Sequence, residues 1–134
     1  MRGHTGDELL RLPVRLRGIQ LGRPVDLLLH PTEPRALGLD VLCGDETHRF
    51  LPLSAATLGD DAFEVDSAFV LLDLPQGSFY RVEARSLSAL RGAPVGNDGS
   101  VLHDVVLGSG WAVEELVLDG ACRLPLIGLL LPAR

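Results

Sequence analysis

The stretch Gly22-Arg23-Pro24-Val25-Asp26-Leu27-Leu28-Leu29-His30-Pro31-Thr32-Glu33-Pro34-Arg35-Ala36-Leu37-Gly38-Leu39-Asp40-Val41-Leu42-Cys43 decides the fold class. Two short apolar runs flank His30–Pro34, a cluster of turn-forming residues, and this is the signature of paired strands rather than of a helix. Working outward, strands are predicted over Leu12–Arg17, Pro24–His30, Arg35–Cys43, His48–Leu53 and Ala62–Asp66. Leu21-Gly22, Gly44-Asp45-Glu46 and Gly59-Asp60-Asp61 supply the other turns, and Ser54–Leu58 is predicted as one helical turn capped by Ser54. Five strands within 55 residues leave no chain for βαβ crossovers, so the sheet should be largely antiparallel. An all-β fold with a curled sheet or small barrel follows, because closure removes unpaired edges.

Beyond this block, Ser67–Leu74 is apolar and ends at Pro75, a further candidate strand. Phe79–Leu90 is the best helix candidate, with Val82, Leu87 and Leu90 on one side. The second half then echoes the first. Ala36, Leu37, Val41 and Leu42 align with Ala112, Val113, Val117 and Leu118. Gly22, Asp26, Leu27 and Leu29 align with Gly99, Asp104, Val105 and Leu107, and Arg49–Leu53 resembles Arg123–Leu126. Matches in order over three consecutive strands predict an internal repeat. The units expected are a first repeat over 9–74, a connector with a short helix over 75–91, and a shorter second repeat over 92–134.

Composition narrows the function. Apolar residues make up 46% of the 134, enough for a core, while aromatics are only 4%, so Leu, Val and Ala must fill it. The net charge is −6, and all twelve basic residues are Arg. An acidic balance argues against a large sequence-independent nucleic-acid interface, which needs a basic patch. Cys43 and Cys122 are the only cysteines, and with no apolar run over Met1–Glu8 they are expected to be reduced thiols of a cytoplasmic protein. No stretch reaches the ~20 apolar residues of a membrane-spanning helix.

The order of motifs resembles the PRC-barrel family. A Gly, a basic residue, an apolar pair and an Asp open it at Gly22–Asp26, followed by Leu27–Pro31. Gly38 lies at the centre of the next strand, Phe50–Ala56 carries the strand and Pro-Leu-Ser turn, and Gly59–Val65 the acidic Gly-Asp turn and last strand. A second copy fits at Leu90–Val95 and Gly99–Val106 and departs from the pattern after Leu126. The resemblance implies a small antiparallel β-barrel repeated twice, the second incomplete, used as an interaction module without a cofactor. Relatives serve as the cytoplasmic part of the photosynthetic reaction-centre H subunit and as the C-terminal domain of the ribosome-maturation factor M.

Few residues suggest chemistry. Asp26 and Asp104 occupy matching places and could form an acid/base pair, but a carboxylate that recurs with a fold is expected to accept backbone hydrogen bonds. His103 and Asp104 are strand neighbours, which point to opposite faces. Cys43, His48, His103 and Cys122 are metal-capable but not at metal-ligand spacing. Gly96-Asn97-Asp98-Gly99 precedes a strand rather than a helix, so it is a turn and no phosphate cradle.

Two features point to an interface. Trp111 is the sole Trp and could anchor a partner or fill the core. In Leu124–Leu131, six of eight residues are large and apolar without alternation, so both faces want burial. Leu126, Ile127, Leu129, Leu130 and Leu131 are therefore candidate interface residues, between the repeats or between two copies of the chain. The expected function is a non-enzymatic protein-binding or scaffold module acting as a homodimer. A ribosome or rRNA-maturation accessory factor is the first alternative, and an accessory protein of a membrane-associated electron-transfer complex the second.

Overall fold

A computed structural model of the chain describes residues 3–73, 84–95, 100–119 and 123–125. The architecture is all-β, in two sheets. The larger contains β2 (Val14–Leu16), β3 (Ile19–Leu29), β4 (Ala36–Cys43), β5 (His48–Pro52), β6 (Thr57–Leu58), β7 (Phe63–Glu64), β8 (Leu72–Asp73) and β9 (Arg85–Ser86). Its path runs β6-β7-β2-β3-β4-β5-β8, with β9 on β3. The smaller runs β1-β10-β11-β12, from β1 (His4–Thr5), β10 (Leu102–Leu107), β11 (Val113–Leu118) and β12 (Arg123–Pro125).

Pairing is antiparallel throughout except between β2 and β7. Neither sheet closes on itself among the described residues; each is an open path between two edge strands. The central β3–β4–β5 meander sits where the turn signals place it. The segment after β5 differs in detail: Leu53–Ala55 is a 3₁₀ turn with Ser54 inside it, and Pro52 precedes it without a side-chain cap.

Two short helices were only partly legible. Helix α1 (Gly6–Leu10) starts at a capping box, in which Thr5 accepts from the Glu8 amide and Glu8 reaches back to the Thr5 amide. Helix α2 (Leu87–Leu90) is capped by Ser86, which accepts from the Ala89 amide. Of the predicted Phe79–Leu90 helix only Leu87–Leu90 is helical among the described residues, because Arg85–Ser86 is extended and pairs as β9 with β3; residues 74–83 lie outside the described residues.

The main core gathers Leu27, Leu29, Leu39, Val41 and Leu51 from one face of the large sheet with Val105, Leu107 and Leu116 from the small one. Alternation along β3 and β4 explains this split, since successive side chains point to opposite faces. On the other face Leu28, Phe50 and Ala84 form a second small cluster. Gly38 makes that cluster possible, because a Cβ there would strike the Phe50 ring and the Leu51 carbonyl.

Candidate partner-binding groove

At the end of the large sheet remote from the His30–Pro34 turn, β3 and β4 come close enough that a Cβ on Gly22 would lie 2.7 Å from the Leu42 carbonyl oxygen. Cys43 ends β4 opposite Gly22, and Leu21 precedes that pair. Across from them runs a 3₁₀ turn, Ala68–Val70, whose Ser67 hydroxyl accepts from the Phe69 amide at 3.1 Å. The turn directs Leu71 into the core and leaves Phe69 in water, 93% exposed. Strand β8 follows at once and places Leu72, 42% exposed, opposite Phe50.

These residues line an open groove of about 490 Å³ with Leu21, Cys43 and Ala68 on its floor and walls. A second hollow of about 300 Å³ adjoins it through Leu21 and Cys43 and reaches Arg23 and Leu42. Its charges are balanced. Arg49 donates to Asp73 at 2.7 Å and approaches Asp45 at 3.7 Å. Burial pushes the Cys43 thiol up from its ordinary value, an effect that the Arg49 guanidinium opposes. The exposed Phe69 ring thus stands beside a largely apolar hollow, and burying such a ring fully would release ~1.5–3 kcal/mol.

The residues singled out from sequence are placed as follows. Trp111 is half-buried, packs against the main core and meets Phe63 with ring centroids 6.3 Å apart. Leu126, Ile127, Leu129, Leu130 and Leu131 lie outside the described residues, as do Cys122 and the Gly96–Gly99 turn. Asp26 and Asp104 each accept backbone N–H groups. Asp104, 3% exposed, takes the amides of Val105 at 2.7 Å and Asp7 at 3.0 Å. Asp26 takes those of Leu27 at 2.9 Å and Ser88 at 3.1 Å, together with the Ser88 hydroxyl. His103 is exposed while Asp104 is buried, so the two share no relay. His48 instead contacts Asp40 at 2.8 Å on the sheet surface. Among the described residues no three His, Cys, Asp or Glu side chains converge as a metal site, and no helix is long and apolar enough to cross a membrane.

The Phe69 surface was missed from sequence. Its signal was Ser67-Ala68-Phe69-Val70-Leu71-Leu72, a run without strict alternation ending in Asp73, which cannot bury every apolar side chain on one sheet face. Compared with known proteins, the chain matches no family model and no curated protein.

Proposed function

We propose that this chain is a non-enzymatic interaction module that works as a homodimer, with the Phe69 groove as the surface that joins two copies. The observation that carries the reading is a knob beside a hole. Phe69 protrudes next to the hollow lined by Leu21, Cys43 and Leu71, so a two-fold rotation can seat each copy's ring in its partner's groove. Self-complementarity of this kind is what an isologous interface requires.

Two further features favour a second copy as the occupant. Strand β8 ends the large sheet, with its outer edge open among the described residues, and antiparallel pairing of two such edges is itself two-fold. The chain carries a net charge of −6, yet this face pairs Arg49 with Asp73 and adds Arg23, so two copies meet without a build-up of like charge.

The PRC-type barrel unit and a cytoplasmic location belong to the same proposal; the motif order over Gly22–Val65 and the β3–β4–β5 meander support the first. A protein partner is favoured over RNA by the arginines. Arg11, Arg15, Arg35 and Arg49 each face a carboxylate, and Arg85 is buried. Among the described residues this reduces the cationic surface available to neutralise phosphates.

Sedimentation equilibrium of the wild type and of Phe69→Glu tests the proposal. The wild type should be dimeric and the variant monomeric, with unchanged far-ultraviolet dichroism. A wild type that stays monomeric over the whole concentration range, or a dimer indifferent to Phe69→Glu, would overturn it.

A further inference from the structure

The two short strand–helix segments dock in a crossed fashion. Segment β1–α1 comes immediately before the β2–β5 strands, yet β1 pairs with β10: His4 lies opposite Leu107 and Thr5 opposite Val106. Segment β9–α2 comes before β10 and β11, yet β9 pairs with β3: Arg85 lies opposite Leu29 and Ser86 opposite Leu28.

The two junctions match residue for residue in their caps and carboxylates. Thr5 and Ser86 each cap their helix by accepting the amide three residues on. The next-but-one amides, of Asp7 and Ser88, each donate to a strand carboxylate, Asp104 and Asp26 respectively, at 3.0 and 3.1 Å. Each carboxylate also takes the amide of the residue after it, Val105 or Leu27. Leaving the helices, the Leu12 amide bonds the Leu9 carbonyl and the Ala93 amide bonds the Leu90 carbonyl; Leu9 and Leu90 are both fully buried.

The hairpins agree as well. Asp26, Leu27, Leu28 and Leu29 face Asp40, Leu39, Gly38 and Ala36, with a bulge before the last pair. Asp104, Val105, Val106 and Leu107 face Val117, Leu116, Glu115 and Val113, with a bulge at the same place. The hairpin mouths close through His30 N–H to the Arg35 carbonyl at 2.9 Å and Gly108 N–H to the Ala112 carbonyl at 2.8 Å. On this correspondence Arg35 matches Ala112 and Gly6 matches Leu87. Both matched pairs touch: Arg35 bridges Ala112, and Gly6 lies against Leu87. The Arg35–Ala112 bridge is antiparallel, and matched residues that pair antiparallel lie beside a local two-fold axis.

We infer that the chain is a single-chain dimer of one unit, in which each half lends its leading strand, and an amide from the start of its helix, to the other half's hairpin, so that neither half completes its fold without the other. This is independent of the Phe69 surface. It makes the two halves, one opening at β1 and the other at β9, interlocked rather than separable bodies and each other's obligate partner.

Two measurements on the full chain test the inference. With a protease site inserted between 76 and 77 and then cut, the two fragments should co-elute at the intact mass in a 1:1 ratio and separate only in denaturant. Hydrogen exchange supplies the second readout without cleavage. Asp104→Asn should speed exchange at least tenfold in Gly6–Leu10, across the half boundary, and Asp26→Asn should do so in Leu87–Leu90. Fragments that part under native conditions with their β-structure intact would overturn the inference. So would an Asp104→Asn variant whose faster exchange is confined to residues 84–119.

Discussion

Gly6 and Leu87 are in contact across the two halves of the chain: a Cβ on Gly6 would lie 2.5 Å from Leu87 Cδ2 and 2.7 Å from Asp104 Oδ1. The space that glycine leaves is filled by a side chain 81 positions later. Gly6→Ala should therefore overpack the junction and destabilise by ~1–3 kcal/mol. Leu87→Ala alone should cost ~2–5 kcal/mol as a fully buried leucine. Combined, they should cost less than their sum by ~0.5–3 kcal/mol in a double-mutant cycle followed by denaturant unfolding. Strict additivity would contradict the contact.

The helix junctions should respond unequally to loss of their carboxylates. Asp104→Ala strands the amides of Asp7 and Val105 in a site only 3% exposed and should cost ~1–3 kcal/mol. Asp26→Ala should cost less, because Asp26 is half-buried and water can replace it at Ser88. Thermal unfolding of the two variants checks the order. The reverse order would mean that burial does not govern the junctions.

Gly38 offers a test of the second cluster. Any Cβ there strikes the Phe50 ring and the Leu51 carbonyl, so Gly38→Ala must displace Phe50 from its place over β4. The expected loss is ~1–3 kcal/mol, recovered in part by Phe50→Leu. If Gly38→Ala unfolds at the wild-type midpoint, the close approach is absent.

Which parts of this were legible in the sequence depends on how locally each was determined. Strands β3, β4 and β5 carry their turn residues beside them, and Pro31, Pro34 and Gly44 punctuate the chain where the strands end. Helix α1 was also written locally, in Thr5-Gly6-Asp7-Glu8, but its polarity resembles a tail and its burial depends on β10, about a hundred residues away. Matching the halves by residue type pairs Ala36 with Ala112. Strand pairing instead matches Ala36 with Val113 and Asp40 with Val117, because the connection between the paired strands is one residue shorter in the second hairpin, Gly108–Ala112 against His30–Arg35. The Phe69 surface depends on which apolar residues of a continuous run fail to find the core, and only the three-dimensional arrangement decides that.

The Cys43 thiol reports on both fold and groove. With its pKa raised, chiefly by burial, less thiolate is present at a given pH, so alkylation at pH 8 should be slower than for an unfolded cysteine. The folded state holds this proton more tightly than the unfolded state. Its contribution to stability is thus complete below the unfolded thiol's pKa of ~8.5 and is lost as pH rises through the folded value. Because Cys43 lines the groove, raising protein concentration should slow alkylation further, and Phe69→Glu should remove that concentration dependence. Alkylation followed by intact mass gives both results. A rate equal to that of the denatured chain would contradict the burial.

The most direct test of the proposed self-association is isotope-mixed photo-crosslinking. A benzophenone amino acid replaces Phe69 in unlabelled protein, which is mixed with ¹⁵N-labelled wild type, irradiated and digested. Crosslinks between the two isotopic forms should map to residues 20–23, 42–44 or 68–73 of the labelled copy, the lining of its groove. Crosslinks confined to a single copy, or mixed ones that fall elsewhere on the labelled chain, would contradict the Phe69 groove as the surface that joins two copies.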